Sequence, residues 1–346
     1  MSIDTAAAVA AVLASHGPGD AAQFIVYADH FLDRGERALA AAALDRAYGL
    51  APEDDALARQ RAALVDELAL EEHGLRWRFV PAGTTVMGSL SGDPDERPVH
   101  PQRVDAFWIL DAPITWDAYQ RLHGPETREG DGPFSADGDA ETVEFQDRDP
   151  VRLQYCRTGF AAPRNWHDHA DEEGTSAYGV LPMVAMVPVQ AEELAARLTA
   201  IQAGVAYALP TEAQWEKAAR GGLVGKRFAW GDAAPTPATC DFDRMGDFRL
   251  LDPRTLPANG YGLFGMCGGV SEWTADRYDA LAYAHAARGE PAGPTSATVQ
   301  ARVLRGGGWT DCADAVTVSY RSSRSPEAPG SPTIGFRLVR VVVRAT

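Results

Sequence analysis

Cysteine is scarce: 346 residues contain four, Cys156, Cys240, Cys267 and Cys312, and they are scattered. A disulfide framework needs more of them at closer spacing, and no Cys-x-x-Cys or Cys/His zinc pattern occurs. Long apolar runs are missing as well. The N-terminal stretch MSIDTAAAVAAVLASHG has no basic residues ahead of its apolar part and is interrupted by Asp4, Ser15 and His16. It fits neither a secretory signal nor a membrane span, so a cytoplasmic location away from membranes is expected. Positive charge is also short, with 32 Lys and Arg against 48 Asp and Glu, a formal net charge of −16. Such a surface field repels a phosphate backbone, and no nucleic-acid partner is expected.

What is present has two textures, which divide the chain into residues 1–73 and 74–346. The first part is rich in Ala, Leu and charged residues with almost no β-branched runs, and predicts four short helices. Within it, Asp20 to Glu53 is similar to a single tetratricopeptide-type unit. A first helix runs through Phe31, a turn falls at Gly35, and a second helix carries Ala38, Ala41, Ala42 and Leu44 before Pro52. Arrays of such units need about three to bury their apolar faces. A lone unit is therefore expected to dock on the larger part or on a protein or peptide partner.

After Gly74 short alternating segments, Arg76 to Val80 and Val104 to Leu110, are separated by Gly, Pro and Asp clusters. This predicts an irregular α+β domain and no doubly wound sheet. Gly124 to Glu173 is polar and reads as long loops. Two helices stand out. Gln190 to Ala203 places Leu194, Leu198 and Ile201 on one face, with Gly204 as a C-terminal cap. Another starts at Thr211, in a Thr-x-x-Gln capping box with Gln214 and a Pro210/Trp215 staple, and turns Trp215, Ala218 and Ala219 to the core.

Four segments occur in order: VPAGTTVMGS (80–89) with DERPVHP (95–101), ALPTEAQWEKAARGG (208–222), NGYGLFGMCGGVSEW (259–273), and RVLRGGGW (302–309) with GFRLVR (335–340). Together they resemble the formylglycine-generating enzyme, or sulfatase-modifying factor, family. The resemblance implies an irregular C-type-lectin-like α+β domain. Trp215, Trp273 and Trp309 are then expected inside it, and its first and last strands close together. Arg305, Arg321, Arg324 and Arg337 are expected to satisfy loop carbonyls or carboxylates.

The family's chemistry uses two cysteines five apart to hold copper(I), which demands soft thiolates. Ungapped alignment between the Gly306–Gly307 pair and Arg324 puts Asp311 and Val316 at those positions, so copper is not expected. Cys312 lies one residue past the first, and shifting to it places Thr317 at the second. The serine of the usual Gly-Gly-Ser is Gly308, beside Trp309, and a tryptophan of the usual Gly-Asn-Val-Trp-Glu-Trp is Ser271. These residues line the pocket the resemblance implies, Asp311 and Cys312 at its catalytic positions. A calcium motif nearby loses its oxygen-bearing side chains at Gly265 and Gly269, leaving Asn259 and Glu272. Another branch of the family holds iron through a His-x-x-x-His on a helix, and His16, His30 and His73 do not have that spacing.

One local constellation offers a different metal site: His167 and His169 flank Asp168 and precede Asp171, Glu172 and Glu173, a donor set that suits iron or another transition metal. Three readings follow from these residues. One is a ligand- or protein-binding module that has lost formylglycine-generating chemistry. A second is a metal-dependent oxidoreductase of altered chemistry, of the non-haem iron type. The third is a component of a larger regulatory or conflict-system assembly.

Overall fold

A computed structural model describes residues 3–14, 19–123, 179–245, 250–290, 300–328 and 330–343. Four helices open it: α1 (Thr5–Leu13), α2 (Ala21–Asp33), α3 (Arg37–Leu50) and α4 (Asp55–Glu67). Asp4, Asp20 and Asp54 each accept backbone N–H groups of the following turn, which satisfies donors that a helix start leaves free. The alanine-rich α3 is enclosed over its middle: every residue from Ala40 to Ala47 is buried. Small side chains allow that close approach. The helical unit docks on the rest of the chain, with Phe79 in the same apolar cluster as Phe24, Phe31, Ala41 and Leu64.

The remainder is mixed α+β built on three small sheets. β1 (Leu70–Glu72), β2 (Leu75–Val80), β3 (Gly83–Met87), β4 (His100–Val104), β5 (Phe107–Leu110) and α5 (Trp116–His123) come first. They are followed by α6 (Pro188–Ile201), β6 (Val205–Ala208), α7 (Glu212–Arg220), β7 (Ser271–Arg277), α8 (Ala282–Ala287), β8 (Arg302–Arg305), β9 (Arg321–Arg324), β10 (Ile334–Gly335) and β11 (Val339–Val342). One sheet has the order β1-β2-β5-β11-β6, a second β10-β7-β8-β9, and β3 pairs with β4. The last strand thus joins the sheet of the first two, with β5 between them. No helix among the described residues is long and apolar enough to cross a membrane.

Trp215, Trp273 and Trp309 are all buried, each in a different apolar cluster. The capping box at α7 forms as read: Gln214 N donates to Thr211 Oγ1 at 3.2 Å and Thr211 N to Gln214 Oε1 at 2.9 Å. Gly221 ends that helix at φ 58°, a left-handed conformation that glycine adopts without steric cost. The helix expected over Gln190–Ala203 needs correction. It begins at Pro188, whose fixed φ suits a first helical position, and ends at Ile201, which is 68% exposed. Gly204 does not cap it; its carbonyl accepts from Val343 N at 2.9 Å, tying the turn into β6 to the end of β11. The segment Val104 to Leu110, read as one run, is two strands in two sheets.

Candidate functional site

The site the resemblance points to is the turn after β8. Gly306 and Gly307 take φ of 94° and 70°. A Cβ at Gly307 would meet Ala315 O at 2.4 Å and Val316 Cγ1 at 2.8 Å, so the chain folds back onto this turn. Val316 is seated there with no exposure. Asp311 closes the same turn: its Oδ2 accepts from Gly308 N at 2.7 Å, and its own N donates to Gly308 O at 2.9 Å. A Cβ at Gly308 would stand 2.9 Å from Thr333 Cβ. Thr333 therefore occupies the place of a side chain at 308, and its carbonyl accepts from Ser271 N at 2.7 Å. Trp309 is sealed behind this wall with Val184, Leu250 and Val270, and its N donates to Gly269 O at 2.8 Å.

Ser271, Gly308, Trp309, Asp311 and Val316 thus assemble around one turn, with Cys312 exposed at its rim. Arg324 stands apart. Arg321 is opposite Arg305 at the turn end of β9, whereas Arg324 is opposite Arg302, three residues or about 10 Å further along the strand. His167 and His169, with the acidic residues around them, lie outside the described residues.

The side chains present do not fit the groups the resemblance would bring. Copper(I) needs two thiolates, and the two positions hold a carboxylate engaged on backbone and a buried isopropyl group. In the shifted register Thr317 is buried, and its hydroxyl donates to Asp314 O at 3.4 Å. For calcium, Gly265 and Gly269 offer no side-chain oxygen, and both oxygens of Glu272 are taken. They accept from Arg337 at 2.7 Å twice and from Trp215 Nε1 at 2.8 Å. Asn259 serves α7, its Nδ2 donating to Ala218 O at 2.7 Å and Ala219 O at 3.1 Å. Among the described residues no group of three or more His, Cys, Asp or Glu is placed to hold a metal ion.

Two features escaped the sequence reading. One is Tyr320, whose hydroxyl is pushed up by burial and then by the negative charge of Asp311, Asp93 and Asp95 and by Cys312. The loop ahead of β4 lies against the neighbouring residue, Arg321 Nη1 donating to Asp95 O at 2.9 Å. The other is a buried ionic lattice. Arg305 pairs with Glu216 at 2.6 Å, Arg321 with Glu212 at 2.6 Å and Arg337 with Glu272 at 2.7 Å, each arginine side chain unexposed. As expected, these arginines hold loops: Arg305 also donates to the carbonyls of Val318, Ser319 and Tyr320, at 2.8, 2.7 and 2.5 Å. The signal for the lattice is Glu212 and Glu216 on α7 and Glu272 on β7, which sequence spacing does not match to arginines 65 to 109 residues away.

Comparison with known proteins agrees with this architecture. A family model described as Sulfatase-modifying factor enzyme 1-like domain matches residues 72–342. A formylglycine-generating enzyme of Streptomyces coelicolor is 39% identical over 145 residues, 37% of this chain and 45% of that protein. A Mus musculus protein named inactive C-alpha-formylglycine-generating enzyme 2 is 36% identical over 144 residues, 37% of this chain and 41% of that protein. The matched stretch thus spans less than half the length of either relative. The solved structure of PvdO from Pseudomonas aeruginosa shares the fold, with a TM-score of 0.58 at 21% identity over 79% of this chain and 97% of that one.

Proposed function

This chain belongs to the family of sulfatase-modifying factor domains, and on that premise we propose that it is a protein- or peptide-binding module without formylglycine-generating activity. The observation that carries the reading is the filled turn after β8. Asp311 is spent on Gly308 N, Val316 is buried beneath Gly307, and Thr333 fills the place of the family's serine side chain. A pocket lost by changes at several touching positions is not restored by moving one side chain. The fold around it is intact, and family membership extends both to an enzyme and to a relative named inactive. The N-terminal helices are seated on the domain, Asp45 of α3 accepting from the Tyr261 hydroxyl, and so belong to the scaffold of the module.

The test is elemental analysis of untagged protein purified without chelator, together with a copper(I) titration and an oxidation assay on a cysteine-containing peptide under oxygen. Background metal and no aldehyde product are expected. Stoichiometric copper, or aldehyde formed in a copper-dependent way, overturns the reading. Stoichiometric iron or zinc that disappears in H167A/H169A overturns it in favour of a metal-dependent oxidoreductase.

A further inference from the structure

Two of the cysteines, 27 residues apart in the chain, meet in the fold. Asp241 and Gly268 form an isolated parallel bridge, and Gly269 N donates to Asp241 O at 2.8 Å. The residue before each bridge partner is a cysteine. Neighbours at that position in a parallel pair stand about 5 Å apart between Cα atoms, inside the roughly 4.4–6.8 Å that a disulfide spans. The contact is direct: Cys240 Sγ donates to Cys267 O at 3.2 Å. Both thiols are free, buried, and part of one apolar cluster with Phe228, Ala229 and Met266. A small cleft lined by Pro113, Leu251, Asp241, Cys267, Gly268 and Gly269 reaches this place from the surface.

The geometry points to Cys240 and Cys267 as a dithiol modification site that a small peroxide converts to a disulfide. One sulfur, as thiolate, attacks a peroxide oxygen; the O–O bond breaks, a sulfenic acid forms, and the departing hydroxide takes up the proton that the thiol had given up and becomes water. The second sulfur then attacks the first, the S–O bond breaks, and hydroxide leaves and takes up the second thiol's proton. The sum is two thiols and one hydrogen peroxide to one disulfide and two waters, with the two electrons passing to peroxide. Burial pushes both thiols up, Cys267 to about 12. The pair is therefore kept as thiols at neutral pH and reacts slowly, as suits a site closed only under sustained oxidation.

Closure would join the two segments that hold the turn after β8. From one side Asp243 N donates to Asp311 O and Arg244 N to Trp309 O, both at 2.9 Å; from the other, Gly269 O accepts from Trp309 N. The oxidation state of the pair thus sets how firmly that turn is framed. None of this depends on whether the turn binds a partner.

The experiment uses the full chain as C156S/C312S, which leaves only the buried pair, treated with hydrogen peroxide and then alkylated after unfolding. Expected is loss of both thiols together with a mass lower by about 2 Da, reversal by dithiothreitol, and a melting temperature about 5 °C higher than that of the reduced protein. A further C240S change must abolish all three effects. The inference is overturned if both thiols stay alkylatable after sustained peroxide exposure well beyond the dose that oxidises exposed Cys312 in the unsubstituted chain. Sulfinic acids without a cross-link overturn it equally.

Discussion

Replacing Asp45 by asparagine tests how the helical unit is held to the domain. The Asp45 carboxylate on α3 accepts from Arg61 Nε at 2.8 Å and from the Tyr261 hydroxyl at 2.8 and 2.9 Å, and Lys217 Nζ is 3.6 Å away. Arg61 also donates to Gly221 O at 2.9 Å and Gly260 O at 3.0 Å. Asp45, Arg61 and Lys217 are 5%, 2% and 3% exposed, so two cations share one carboxylate away from water. Asp45→Asn keeps the volume and removes the anion that Arg61 and Lys217 share. Removing one partner of a buried pair costs about 3–5 kcal/mol. Arg61 keeps two carbonyls, so the lower end, about 3 kcal/mol, is expected here. Lys217, its ammonium already weakened first by burial, is the charge left worst placed. Asp45→Asn with Lys217→Met should recover about 1–2 kcal/mol of the loss. Urea unfolding followed by tryptophan fluorescence at pH 7 reads both numbers. A single-variant cost below about 1 kcal/mol, or equal costs with and without Lys217→Met, would refute the reasoning. The sign with pH is set by the carboxyl. Burial pushes it up, but Arg61, Lys217 and the Tyr261 hydrogen bonds outweigh that and hold it below the usual range. Its contribution is complete above about pH 4 and is lost as pH falls through the folded value.

Two further outcomes follow from the packing. Gly308→Ser, which restores the family's residue, should destabilise by about 1–3 kcal/mol because its Cβ meets Thr333. Thr333→Gly should couple favourably with it in a double-mutant cycle, and additivity within about 0.3 kcal/mol would show that Thr333 does not fill that place. At the sheet edge, burial pushes the Glu72 carboxyl up, but hydrogen bonds from Arg340, Tyr207 and Gln202 outweigh it and hold it at about 2. Glu72→Gln should then cost about 2 kcal/mol at pH 7, allowing for partial exposure. The difference from the unsubstituted chain should fade between about pH 4.5 and pH 2, and a difference constant over that range in pH-dependent unfolding would contradict the assignment.

The sequence by itself determined the local elements and the family. The Thr211–Gln214 capping box, the glycine turn at 306–307 and the N-terminal helices depend on groups a few residues apart, where hydrogen bonding and φ preference act directly. It also determined what the turn after β8 lacks, since two absent thiols are legible without coordinates. Ile201 fits the helical period, yet it ends α6 exposed to solvent, and Gly204 serves the β6–β11 connection in place of the helix end. Only the tertiary structure decided that Thr333 stands against Gly308, that Arg324 lies away from the turn, and that Cys240 meets Cys267. It alone showed that Arg61 reaches Gly221 and Gly260, 160 and 199 residues along the chain. Such contacts arise when buried polar groups in irregular loops must find partners wherever the fold brings them, and no period of 2 or 3.6 residues records that choice.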